Sequence, residues 1–221
     1  MKQLSCWVKH HPIAFALIFF ACYLSGFFAL EQGNTVPVFL LHCRLDDIIP
    51  FCEWFIFAYL SWFALIPWAL VTLLRRDRAN YFYLCGVLFS GMALCLLLYF
   101  LFPNGVELRP GAMEHRNLAA LLVQSIWALD TSTNVCPSIH VASTAAILLA
   151  VQRSHIWKRR KMTVGICWGL GILICLSTLF LKQHSVIDVV CGIALTAILH
   201  LFFSRRHFAS PTPVPLSDSV S

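Results

Sequence analysis

Residues 54–74 have the sequence WFIFAYLSWFALIPWALVTLL, and residues 162–181 have the sequence MTVGICWGLGILICLSTLFL. Neither stretch contains a charged side chain, and each is long enough as a helix to cross the hydrocarbon core of a bilayer, which is roughly 30 Å thick. The whole chain has the same character, with 59% apolar residues, 12% charged residues and a mean hydropathy of +0.78. These values exclude a soluble domain of ordinary composition.

Apolar runs separated by turn signals predict six membrane spans, near residues 12–30, 51–74, 79–102, 138–152, 162–181 and 184–203. The fourth is the shortest, and we extend it because Pro137-Ser138 is a good helix start. The first resembles a signal peptide, but it is long and lacks a small-x-small cleavage site, so we interpret it as a retained helix. The sequence therefore predicts an all-α membrane protein, a six-transmembrane-helix bundle over residues 1–209.

Basic residues are distributed unevenly between the predicted loops. With six spans both termini lie on one side, and positive residues accumulate on the cytoplasmic side of membrane proteins. We therefore predict cytoplasmic termini in a plasma membrane, with Arg44, Arg109, Arg116 and Lys182 outside. The predicted inner side carries twelve of the sixteen basic residues: Lys2, Lys9, Arg75, Arg76, Arg78, Arg153, Lys158, Arg159, Arg160, Lys161, Arg205 and Arg206.

This distribution explains the net charge of +6 through membrane topology and contact with membrane lipids, without a nucleic-acid partner. The compact six-span plan and the absence of a eukaryotic sorting signal favour a bacterial protein. The oligomeric state stays open.

Two predicted external segments, 31–50 and 103–137, are long enough to carry structure of their own. In the second, Leu118, Leu122, Ile126 and Leu129 recur at helical spacing, which predicts an external interfacial helix above the bundle. In the first, the pair Asp46-Asp47 fits either an interfacial pair or a lid contact. The tail 210–221 is rich in Pro and Ser and is predicted to be disordered.

Ionisable groups at membrane depth are costly and are candidates for function. Ser138 and His140 enter the fourth span from outside, near a helix amino terminus that favours an anion. His184 and Asp188 lie four residues apart at the outer end of the sixth span, which predicts that they share one helical face. In a six-span bundle both motifs reach the same external edge.

Two histidines and a carboxylate at one edge suit attack on phosphorus. Asp188 would orient His184 as a nucleophile, and His140 opposite it would protonate the leaving oxygen. Arg109 and Lys182 would neutralise the charge on the phosphoryl oxygens. An ordinary structural role stays open for each residue, since Ser138 also suits a helix cap and Asp188 also suits an ion pair with Lys182.

The pattern Pro137-Ser138-Ile139-His140, followed by Ser177 and then His184-x-x-x-Asp188, resembles the second and third motifs of the type 2 phosphatidic acid phosphatase superfamily. These enzymes include lipid phosphate phosphatases with a six-helix core, and the motif-bearing part here is about 79–203. The resemblance implies a metal-independent mechanism through a phosphohistidine, with no cofactor. It implies His184 as nucleophile, Asp188 as its orienting partner, His140 as general acid and Ser138 as a phosphate-binding residue.

Three positions differ from the family pattern. Ile139 replaces the usual Gly, Thr178 replaces an Arg, and Phe102 stands where the first motif has a Lys seven residues before Arg109-Pro110. Lys182 restores one positive charge next to the third motif. Pro-Ser-x-His combined with Lys-Gln-His is similar to the inositol phosphorylceramide synthase-like branch, whose members include head-group transferases.

The sequence therefore leaves three alternative functions. The leading hypothesis is a lipid-phosphate phosphatase, a phosphoric monoester hydrolase acting at the extracytoplasmic face. The alternative is a phosphotransferase that passes the phospho group to an alcohol. A non-catalytic lipid-binding membrane protein is the third, because two usual phosphate-binding cations are missing. A metal-dependent lipid transferase is disfavoured, because the chain has no run of paired Asp residues suited to Mg²⁺.

Overall fold

The computed structural model describes residues 2–33, 37–111, 117–157 and 160–205. The fold is almost entirely helical. Its helices are α1 (Lys2–His10), α2 (Pro12–Gly33), α3 (Arg44–Ile48), α4 (Ile56–Arg76), α5 (Arg78–Leu101), α6 (Leu118–Leu129), α7 (Ile139–Arg153), α8 (Lys161–Phe180) and α9 (Val186–Ser204). Short 3-10 turns cover Glu53–Phe55 and His155–Trp157, and two short parallel strands, β1 (Phe39–Leu40) and β2 (Asn104–Gly105), pair with each other.

Among the described helices, five are long and apolar enough to cross a membrane, namely α2, α4, α5, α8 and α9. They begin and end within a few residues of the predicted spans. The predicted fourth span corresponds to α7, which has only 15 residues and is therefore about 22 Å long. A count of six spans is thus not confirmed by helix length.

The short helix α7 lies at the centre of the bundle. It packs against α4, α5, α8 and α9, and eleven of its residues are buried. Helices that surround it need the full membrane thickness, but a helix enclosed by protein does not, because its backbone and side chains meet other helices instead of lipid. Its central position explains how an apolar helix of this length is accommodated.

Helix α6 is present where an external helix is predicted, but it buries a different set of residues. Its most buried side chains are Ala119, Ala120 and Val123, which pack towards α4 and the end of α8. Leu118 and Leu129 of the predicted apolar stripe are exposed. The small alanines permit close approach of the helix to its neighbours. The spacing of the leucines in the sequence does not indicate this contact.

The described basic residues separate to opposite ends of the bundle. We call one end the basic end, and it carries Lys9, Arg75, Arg76, Arg78, Arg153, Arg160, Lys161 and Arg205. The other end, which we call the site end, carries Arg44, Arg109 and Lys182. The predicted inner residues Lys158, Arg159 and Arg206, the predicted outer Arg116 and the tail 210–221 lie outside the described residues.

Helices α7 and α9 approach each other closely at Gly192. A Cβ atom at this position would lie 2.8 Å from the carbonyl oxygen of Ser138 and 3.3 Å from the Cβ of Val141. One turn further along α9, the hydroxyl of Thr196 donates to the carbonyl oxygen of Ala142 at 3.0 Å. The absence of a side chain at Gly192 therefore sets the spacing between the two helices.

We expect Gly192→Ala to destabilise the protein by about 1–3 kcal/mol, because the added methyl group meets backbone atoms that cannot move independently. Gly169→Ala on α8 is the matched control, since a Cβ there has no atom within 4 Å and alanine favours helix by about 1 kcal/mol. Thermal unfolding in detergent measures both. Equal stability of the two variants would contradict the proposed role of Gly192.

Candidate active site

His184 and Asp188 meet at the start of α9. Ser185 is the N-cap, and the Oδ2 atom of Asp188 accepts a hydrogen bond from the Ser185 backbone N–H at 2.9 Å. The same oxygen lies 3.3 Å from Nδ1 of His184. One carboxylate oxygen therefore caps the helix and contacts the histidine ring.

This geometry differs from the prediction that the two residues share a helical face. His184 precedes the helix, because α9 begins at Val186. The residues meet because Asp188 belongs to a capping box with Ser185, which turns its carboxylate back towards the preceding chain. A carboxylate accepts, so Nδ1 is the donor in this contact, and the second ring nitrogen, Nε2, is not part of it.

His140 faces His184 from the first turn of α7. The two rings have centroids 5.8 Å apart. The His140 ring is packed between Tyr59 at 4.5 Å and Trp62 at 4.4 Å, measured between centroids. Its Nδ1 atom is buried and has no hydrogen-bond partner among the described residues, so the ring is held by aromatic packing.

Ser138 connects the start of α7 with the start of α9. Its backbone N–H donates to the carbonyl oxygen of Asp188 at 3.1 Å, and its hydroxyl oxygen accepts from the N–H of Val141 at 3.4 Å. The segment before it is held by Asn104, whose Oδ1 accepts from the backbone N–H of Cys136 at 2.8 Å. Ser138 is fully buried, and in this structure it acts as the N-cap of α7.

A polar wall that sequence reasoning missed lies beside the two histidines. Oδ2 of Asp130 accepts from the Tyr59 hydroxyl at 2.6 Å and from Nε2 of Gln183 at 3.1 Å. Burial raises the pKa of Asp130 above its usual value. The only sequence signal for this wall was that Asp130 and Gln183 stand next to the predicted helix and the third motif.

Arg109 lies behind this wall. Its Nη2 atom donates to the side-chain oxygen of Gln183 and, at 2.6 Å, to the carbonyl oxygen of Asp130. Its Nη1 atom donates to the carbonyl oxygen of Trp127 at 3.1 Å. Burial lowers the pKa of Arg109, an effect that the nearby Asp130 opposes. Its Nε atom has no partner among the described residues.

The ammonium group of Lys182 points to the loop before α4. Nζ donates to the carbonyl oxygens of Asp46 at 2.7 Å and Ile49 at 2.5 Å. The Lys182 backbone has a φ of 56°, a left-handed conformation that reverses the chain between α8 and α9. The turn is closed because the carbonyl oxygen of Thr178 accepts from the N–H groups of Gln183 and His184.

Asp46 completes this connection. Its Oδ1 atom accepts from the N–H of Val186 at 2.8 Å, and its Oδ2 atom accepts from the Ser185 hydroxyl at 2.7 Å. Burial raises the pKa of Asp46, but the hydrogen bonds from Val186, Ser185 and Cys43 outweigh this effect and hold it below its usual value. Asp46 is therefore a helix-capping residue from a distant loop.

Together these residues surround a cavity of about 230 Å³. Its polar part is formed by His140, His184, Asp130, Gln183 and Asn134, and aromatic residues including Tyr59 and Trp62 complete its lining. Of the six predicted site residues, His140 and His184 line the cavity and Asp188 contacts His184. Ser138, Arg109 and Lys182 lie around it without lining it.

The five apolar helices are typical of a protein embedded in a membrane. A family model described as the PAP2 superfamily matches residues 122–211. The match includes His140, His184 and Asp188 but not Arg109. The match supports the resemblance to the type 2 phosphatidic acid phosphatase superfamily. It thereby suggests a phosphatase or phosphotransferase activity on lipid phosphates. No curated protein and no solved structure matches the chain significantly.

We expect Asp46→Asn to lower the free energy of unfolding by about 1–3 kcal/mol, because the amide lacks the charge and places donors against the donors of Ser185 and Val186. Asp47→Asn is the matched control, since Asp47 is exposed and contacts only the exposed His42 among the described residues. It should change stability by less than about 0.5 kcal/mol. Equal effects of the two substitutions in thermal unfolding would contradict this assignment.

The stabilising effect of Asp46 should also depend on pH. Because its pKa is lower in the folded protein than in the unfolded chain, its contribution is present above the unfolded pKa and is lost as the pH falls through the folded pKa. The stability difference between the wild type and Asp46→Asn should therefore narrow in acid. A constant difference across unfolding measurements from neutral to acidic pH would argue against a charged Asp46.

Proposed function

We propose that this protein is a lipid-phosphate phosphatase that acts through a phosphohistidine intermediate. The observation that supports the proposal most directly is the meeting of His140 and His184 at one cavity, with Asp188 holding His184. A histidine that lines the cavity opposite an oriented His184 is what general acid and nucleophilic catalysis require. Metal-independent chemistry is part of the proposal.

In the first step, Nε2 of His184 attacks the phosphorus atom of the lipid phosphate. A nitrogen–phosphorus bond forms, the phosphorus–oxygen bond to the lipid breaks, and a proton from His140 passes to the leaving lipid oxygen. In the second step, His140 takes a proton from water, the water oxygen attacks phosphorus, and the nitrogen–phosphorus bond breaks. The products are inorganic phosphate and the lipid alcohol, and both histidines return to their starting states.

Charge on the phosphoryl oxygens needs compensation. The predicted phosphate-binding roles of Ser138, Arg109 and Lys182 stay predictions, and the contacts suggest how each would act. Arg109 contacts the cavity-lining Gln183 and would place its positive charge behind that residue. Ser138 marks the amino end of α7, whose dipole favours an anion. Lys182 contributes its charge from behind the turn.

We place the site at the extracytoplasmic face of a plasma membrane. The separation of basic residues supports this orientation, because the described basic residues are concentrated at the end opposite the cavity. In the same proposal α7 also counts as a span and brings their number to six, the termini are cytoplasmic and α6 lies at the outer surface. A bacterial source stays a prediction from the sequence.

Replacement of the proposed nucleophile gives the direct test. His184→Ala should lower phosphate release at least about a thousandfold, because no covalent intermediate can form. Purified protein is assayed with phosphatidic acid, phosphatidylglycerophosphate and undecaprenyl pyrophosphate. His155→Ala is the control, since His155 is exposed at the basic end, and it should retain activity. Activity that survives His184→Ala would refute the proposal, and its absence from the wild type on every substrate would favour a non-catalytic lipid-binding protein.

A second candidate, phosphotransfer to an alcohol, is favoured by the Asp130 wall. Asp130 lines the cavity beside the histidines and its oxygens accept hydrogen bonds, so an acceptor alcohol would suit this side of the cavity. The first step is unchanged, and the alcohol oxygen replaces water in the second. With radiolabelled lipid phosphate and added glycerol, inositol or diacylglycerol, a phosphatase releases the label as inorganic phosphate. Label in a new phosphoester would identify a phosphotransferase.

A further inference from the structure

A second cavity continues the catalytic cavity towards the basic end. It has a volume of about 450 Å³ and lies between α2, α4 and α5. We call it the α2–α4 groove. Tyr23, Leu24, Trp62 and Phe63 line both cavities, so the two spaces adjoin.

The groove exists because α2 is attached to the bundle along one side. Near the basic end, the hydroxyl of Tyr81 on α5 donates to the carbonyl oxygen of Pro12 at 2.7 Å. In the middle, Phe19 stacks on Phe89 of α5 with centroids 4.0 Å apart. At the site end, Glu31 accepts from the side chain of Asn134 at 2.9 Å. These contacts fix α2 against α5 and the segment before α7, and they leave a space between α2 and α4.

The lining of the groove is hydrocarbon and aromatic, and it includes no charged side chain. Ile13, Ala16 and Leu17 come from α2, and Leu70 and Val71 come from α4. Several of these side chains are exposed to the surroundings of the bundle, so the groove opens sideways into the membrane. A lining of this kind favours alkyl or isoprenoid chains over polar ligands.

The length of the space is informative. Tyr59 lines the catalytic cavity and Leu74 lines the far part of the groove, and fifteen residues along α4 correspond to about 22 Å. One leaflet contributes roughly half of a 30 Å hydrocarbon core, about 15 Å. A chain that starts at the histidines and fills the groove therefore passes the middle of the membrane.

We infer that the α2–α4 groove binds the hydrocarbon chain of the substrate, and that the preferred substrate is a lipid phosphate whose chain is longer than one leaflet. This inference rests on the proposed function, because the phosphate must lie at His140 and His184. The apolar groove supplies chain-length preference, and the catalytic cavity supplies the chemistry.

Chain length and groove shape are varied together in the test. The probes are farnesyl phosphate, which reaches only the catalytic cavity and its border, and undecaprenyl phosphate, which is long enough to fill the groove. Wild-type kcat/KM should be about tenfold higher for the long lipid, since each buried methylene group contributes. Ala16→Trp and Val71→Trp, which fill the groove, should lower kcat/KM about tenfold for the long lipid and leave the short lipid within about twofold.

Ile166→Trp is the matched control, because Ile166 is an exposed apolar residue near the basic end of α8. It should behave as the wild type with both lipids. Equal losses on both lipids in the groove variants, unchanged activity on the long lipid, or no wild-type preference for the long lipid would each overturn the inference.

Failure of the proposed function has a different signature. In that case the wild type hydrolyses neither lipid, and the groove is tested by binding of undecaprenyl phosphate in native mass spectrometry. Retention by the wild type and by Ile166→Trp, with about tenfold weaker retention by Ala16→Trp, would support the groove alone. Equal retention by all three proteins would refute it.

Discussion

Two buried carboxylates fix the start of α9, and the candidate site depends on them. A buried charge is costly unless hydrogen bonds compensate it. Asp188 receives the Ser185 N–H and contacts His184, while Asp46 receives the Val186 N–H and the Ser185 hydroxyl. Both negative charges lie at the positive end of the α9 dipole. The same bonds that compensate the carboxylates hold His184 in place.

The position of His140 depends on a separate constraint, the close approach of α7 and α9. Gly192 permits this approach, and the Ser138 N–H joins the two helices by donating to the Asp188 carbonyl oxygen. Because His140 follows Ser138 by two residues and His184 precedes Asp188 by four, this connection sets the distance between the rings. Tyr59 and Trp62 then restrict the His140 ring from the side of α4. The geometry of the pair is therefore a property of helix packing.

Much of this arrangement could be predicted from the sequence, because it depends on local patterns. Long apolar runs predicted the five long apolar helices. The Ser-x-His and His-x-x-x-Asp spacings predicted that His140 and His184 lie at one site, with Asp188 in contact with His184. Three features could not be predicted in this way. Asp46 caps a helix that is far away in the chain, Lys182 binds carbonyl groups of the same distant loop, and Asp130 reaches the cavity through Tyr59 and Gln183. Each depends on contacts between loops that are far apart in the sequence. The spacing of apolar residues does not indicate which loops meet.

The same argument explains why His184 and Asp188 meet in an unexpected way. Spacing alone suggests one helical face, but a helix start followed by Asp at the third position also suggests a capping box. The structure uses the second arrangement. The consequence for chemistry is substantial, because a histidine outside the helix has its ring held by the carboxylate while its other nitrogen faces away from the helix end. In this arrangement α9 serves as the rigid support of the candidate nucleophile.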